Sequence, residues 1–110
     1  MKIIYNTMIP SKGFAAITIF EWVFARSECK PLSKRTINHE SIHIAQCREM
    51  LYIGFYLWYV CEFLVRLIQS RGNKIQAYYK ISLEQEAYTN DNNPSYLQYR
   101  NHFSWKRHLL

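Results

Sequence analysis

Thr36-Ile37-Asn38-His39-Glu40-Ser41-Ile42-His43 is the stretch that organises the reading of this 110-residue chain. It contains the pattern H-E-x-x-H at His39, Glu40 and His43. Side chains four apart on a helix stack one above the other, so two imidazoles so placed can grip one ion. Glu40, between them and off their axis, is placed to take a proton from a metal-bound water rather than to bind the metal. The chemistry requires a helix. Pro31, Ser33 and Thr36 stand upstream as stop and cap signals, and no breaker follows until Gly54, so the motif reads as helical.

A tetrahedral site with an open position needs a third protein ligand. The run Ile81-Ser82-Leu83-Glu84-Gln85-Glu86-Ala87-Tyr88 reads as a later helix with two candidates. Glu84 shares its face with Ala77, Ile81, Ala87 and Tyr88, an apolar stripe, whereas Glu86 shares its face with Ser82, Thr89 and Asn90. A carboxylate on an apolar side needs a partner, because burying it alone costs several kcal/mol. A metal ion is such a partner. Helical phase therefore favours Glu84 as the third ligand beside His39 and His43, with Glu86 as the alternative.

These residues resemble the zincin metallopeptidases of the Glu-zincin type. The arrangement is similar to that of thermolysin and of membrane peptidases that process prenylated proteins or sense β-lactams, and to small bacterial H-E-x-x-H proteins. The resemblance covers residues 36–50 and 75–90. It implies Zn²⁺ as cofactor, His39, His43 and Glu84 as ligands, Glu40 as general base, and a peptide or protein substrate. In that family a small residue follows the ligand Glu by three, as Ala87 does here, and an Asp follows by four, where this chain has Tyr88. The missing Asp normally orients a ligand His, a role worth about 10–100-fold in affinity or activity. Asn38 and Asp91 are the candidates to replace it. Tyr79, Tyr88 and Tyr99 are candidates for an oxyanion donor.

Residues 2–5 and 14–24 are rich in Ile, Val, Thr and aromatics around the turn Pro10-Ser11-Lys12-Gly13, which predicts a β-hairpin with a largely buried second strand. By the family resemblance, that hairpin supplies an edge strand for an extended substrate. Residues 51–68 carry aromatics all round, which predicts a packed central helix, with a shallow membrane-contacting helix as the alternative. Glu62 and Arg66 interrupt the run, are four apart, and can pair. Asn93-Pro94 predicts a last helix carrying Tyr96, Tyr99, Arg100, Phe103 and Arg107 on one side, able to close the core, dimerise, or lie on an acidic membrane.

The whole chain, residues 1–110, reads as one α+β domain, a minimal zincin-like hairpin beside three to four helices. The net charge of +6 is dispersed, without a nucleic-acid motif, which argues against nucleic acid as a partner. Three cysteines, Cys29, Cys47 and Cys61, lack C-x-x-C spacing and argue against a disulfide framework. With polar residues interrupting the N-terminal apolar start, they lead to an expected cytoplasmic location, with membrane association possible at its periphery. His102 and His108 read as solvated. The competing function is a non-catalytic, metal-clipped or membrane-associated binding protein.

Overall fold

The computed structural model describes residues 2–109 and has the expected α+β class. Strands β1 (Lys2–Asn6), β2 (Ala16–Ile19) and β3 (Trp22–Arg26) form one sheet in the order β1-β3-β2. The hairpin lies inside the second apolar run, not across the Pro10–Gly13 turn as expected. Ile19 pairs with Trp22 in the antiparallel β2/β3 ladder, and Phe20 takes a positive φ of 58° in the two-residue connection. β1 instead runs parallel to β3, with Ile3 opposite Val23 and Tyr5 opposite Ala25. Asn6 explains the departure. Its Oδ1 accepts from the backbone N–H of Met8 and of Ile9, ending the strand and turning the chain away before it can pair antiparallel.

One face of the sheet packs on the helix that carries the motif. Val23, Ala25, Leu32 and Ile44 form a buried cluster, with Ile3, Tyr5, Ala16 and Ile37 against it. The other face is open: Ile17 and Trp22 are exposed, so the second run is not buried throughout as its composition suggested.

Helix α1 (Lys34–Glu49) starts where the cap signals put it, with the Ser33 hydroxyl accepting from Thr36 N–H at 3.1 Å. It stops before Gly54, because Leu51 and Tyr52 both adopt positive φ, and α2 (Ile53–Gln69) departs at a bend of 111°. Helix α3 (Lys74–Lys80) and α4 (Ser82–Asn90) are separate, divided at the extended residue Ile81. The C-terminal part holds only a four-residue helix, α5 (Tyr96–Tyr99), and a 3-10 turn, Ser104–His108, in place of one amphipathic helix.

Two further expectations are corrected. Only Phe55 and Glu62 of α2 are buried, so α2 is not a central helix. Arg100, expected on one side of a continuous last helix, instead follows the short α5 and turns inward: it forks onto Glu49 at 2.8 and 2.9 Å and onto Glu86 at 2.5 Å, tying α1, α4 and the C-terminal segment together. The Glu62–Arg66 pair forms as expected, at 3.1 Å. Among the described residues, no single helix is long and apolar enough to cross a membrane.

Candidate metal centre

The site is assembled between α1 and α4. On α1, His39 and His43 lie one turn apart with ring centroids 4.9 Å apart. Helix α4 is aimed at them from its start. Glu62 of α2 accepts the backbone N–H of Ser82 at 2.9 Å and its hydroxyl at 2.5 Å, capping the helix. Leu83, fully buried, anchors the first turn in the cluster of Cys47, Phe55, Ile81 and Trp105. Glu84 then points back to α1, and its Oε1 sits 3.1 Å from Nε2 of each histidine. These three buried side chains could hold a metal ion, since their ligand atoms lie within 4.8 Å of one another.

The donor set fits a cation on chemical grounds. His39 Nδ1 is 2.9 Å from Asp91 Oδ2, and His43 Nδ1 is 2.8 Å from Gln46 Oε1. The Gln46 orientation follows from its amide nitrogen, which donates to Leu83 O and Glu86 Oε1. Each acceptor therefore draws the ring proton to Nδ1, and in a neutral imidazole this leaves the Nε2 lone pair facing a carboxylate oxygen. Acceptor against acceptor is repulsive unless a proton or a metal ion lies between. Two bonds of about 2.0–2.1 Å at a tetrahedral angle hold ligand atoms about 3.3 Å apart, close to the spacing observed.

Without the metal, a proton on His43 fills that role between His43 and Glu84. Burial would lower the basicity of His43, yet the Glu84 carboxylate beside it, helped by Glu40, raises its pKa to about 9. Burial likewise pulls Glu84 upward, and the two imidazoles outweigh it, holding the carboxyl well below its ordinary value. The remaining Glu84 oxygen accepts from the Tyr59 hydroxyl at 2.7 Å.

Of the two candidates offered for that supporting role, Asp91 is the one that faces an imidazole, that of His39. It is the residue that terminates α4, 4% exposed, and its second oxygen is fixed by Arg35 Nε at 2.8 Å. Asn38 supports it indirectly, donating to the carbonyls of Asp91 at 3.0 Å and Asn93 at 2.9 Å and so fixing the turn. Tyr88, four residues after Glu84, packs its ring on His39 at a centroid distance of 4.4 Å. Glu86, the alternative third ligand on the more polar face, is fully buried. It is satisfied by Arg100, Tyr96 and Gln46, and those partners remove it from contention as a ligand. His102 and His108 do not join the triad.

Glu40, Glu84 and His43 line a cleft of about 480 Å³ whose other walls are mainly apolar, among them Ile9, Phe14, Ile17 and Phe55. Thr18 of β2 donates from its hydroxyl to Glu40 Oε1 at 2.8 Å. The cleft tyrosines are Tyr56, Tyr59 and Tyr78. Tyr79, Tyr88 and Tyr99 do not line it: Tyr79 and Tyr99 are exposed, and the Tyr88 hydroxyl pairs with that of Tyr78 at 2.9 Å. Gln46 was legible from its i+3 spacing to His43. Thr18, Tyr59 and Tyr78 had no such signal, since contacts across the fold bring them in.

Comparison of the chain with protein-family models, with curated proteins and with solved structures finds no match.

Proposed function

We propose that this chain is a zinc-dependent hydrolase of amide bonds, with a peptide or protein segment as substrate. The observation that carries the proposal is that Glu40 shares one cleft with His43 and Glu84, held by a hydroxyl from β2. His39, His43 and Glu84 would hold a zinc ion, which would supply a water acidic near pH 7 and a Lewis acid for a carbonyl.

Glu40 acts as general base towards that water and returns the proton to the leaving amine. Thr18 fixes the Glu40 carboxylate by its 2.8 Å hydrogen bond, so that it reaches for the proton without swinging onto the metal ligands. Strand β2 is an edge of the sheet and its residues Ala16, Ile17 and Thr18 line the cleft; the Thr18 carbonyl accepts from the Tyr56 hydroxyl at 3.2 Å, so an extended substrate would pair with the rest of that edge. The apolar walls favour an apolar substrate side chain. Tyr78 is the oxyanion donor in this scheme. Burial and the nearby Glu84 raise its pKa, keeping the phenol protonated.

The test is Glu40→Gln. It should retain about one zinc per chain while turnover of a peptide substrate falls by at least about 10²-fold. Undiminished turnover would remove Glu40 from its role. Full zinc content with no hydrolysis by the wild-type protein across a broad peptide library would instead favour the non-catalytic metal clip.

A further inference from the structure

Apart from Gln69 at its end, every exposed residue of α2 is apolar. Ile53, Leu57, Val60, Leu64, Val65 and Ile68 are all at least half exposed. The two charged residues of the helix point the other way. Glu62 is buried on the N-terminus of α4, and Arg66 donates to Glu62 and to the carbonyl of Leu109. A surface helix normally turns its apolar stripe inward and its charges to water; α2 does the reverse. At about 100° per residue, the outward apolar arc from Val60 to Trp58 spans roughly 160°.

Charge says what covers it. The chain has eight acidic residues, and Glu28, paired with Arg26, is the exposed one; the rest are buried or partly buried. Exposed cations border the apolar face. Arg71 and Lys74 follow α2 in the turn and at the start of α3, and Lys106 and Arg107 lie on the 3-10 turn whose Trp105 packs on Trp58 at 5.1 Å. A second copy docked here would set cations against cations. An anionic lipid surface matches both the charge and the breadth of the face.

The apolar surface also continues towards the cleft. Phe20, at the tip of the β2/β3 hairpin, donates its N–H to the Tyr56 hydroxyl at 2.8 Å and packs edge-on against that ring, while Tyr56 lines the cleft. Phe20 and Trp22 are each about half exposed, and Phe14 and Met8 are exposed on the cleft wall.

We propose that the outer face of α2, with the hairpin tip beside its first turn, seats the protein on the surface of an anionic bilayer. The helix lies in the headgroup plane; its 17 residues do not span the bilayer. This docking is independent of the metal centre and would hold for a non-catalytic protein too.

The test is flotation of the full chain with vesicles of phosphatidylcholine alone and of phosphatidylcholine with about one-third phosphatidylglycerol, alongside the double variant Leu57→Gln/Leu64→Gln. Both leucines are exposed, so the variant should keep the wild-type circular dichroism and melting profile. Wild type should bind the anionic vesicles at least about tenfold better than the neutral ones and lose affinity as salt rises. The folded variant should lose about tenfold or more. No binding to the anionic vesicles, or equal binding by the variant, overturns the proposal. So does a wild-type dimer, detected by light scattering and dissociated by the same variant, that does not bind vesicles.

Discussion

Asp91 Oδ2 lies 2.9 Å from His39 Nδ1, on the ring edge opposite the nitrogen that faces Glu84. A carboxylate in this position fixes the tautomer and raises the basicity of the ligating nitrogen. It reaches His39 from seven residues beyond Glu84, because α4 ends at Asn90 and the chain turns there. Asp91→Ala should therefore weaken zinc binding by about 10–100-fold without emptying the site. Competition with a chromophoric chelator measures it, and an unchanged dissociation constant would show that Asp91 serves only Arg35.

Arg100 is the structural counterpart of that pair. Its guanidinium is 3% exposed and joins Glu49 and Glu86, themselves almost fully buried. Arg100→Met leaves two carboxylates without a cation, and the expected loss is about 3–5 kcal/mol of unfolding free energy. Urea denaturation of the metal-free protein reads it. A loss below about 1 kcal/mol would mean that water replaces the arginine.

Removal of the metal should leave the protein folded. The Arg100 network and the cluster of Cys47, Phe55, Ile81, Leu83 and Trp105 hold α1, α2 and α4 together without contribution from the triad. After chelation, the circular dichroism spectrum should keep its helical signal while the melting temperature falls. Unfolding on chelation, as in zinc fingers, would identify a structural clip instead.

The pH dependence of the metal-free protein follows from the His43–Glu84 pair. His43 is raised from 6.5 to about 9, so its stabilisation is complete below pH 6.5 and is lost as pH climbs through 9. Glu84 is lowered from 4.5, so its contribution is present above pH 4.5 and is lost as pH falls through its folded value. Melting temperatures of the chelated protein should decline between about pH 6.5 and 9, and His43→Ala should flatten that decline. Zinc affinity should rise over the same interval, because binding displaces the His43 proton. Calorimetric titration at two pH values checks the sign.

The sequence by itself determined which side chains meet on one face of α1. Helical spacing alone places His39 and His43 on one face with Glu40 beside them, and Ser33 marks the start of that helix by a cap whose partner is three residues away. Local rules reach that far because every contact involved lies within one turn. Glu84 was legible by helical phase as well, although Ala77, counted on its face, belongs to a separate helix. Tertiary structure decided what depends on distant chain segments meeting. Glu86 is buried because Arg100 arrives from fourteen residues away, Asp91 rather than Asn38 supports His39 because a turn carries it back, and Thr18 reaches Glu40 across a sheet-to-helix contact. It also decided the exposure of α2, whose aromatic composition reads as core. Composition states what a helix could bury, but only the arrangement of its neighbours determines which half is covered, and here they cover the half with Glu62 and Arg66.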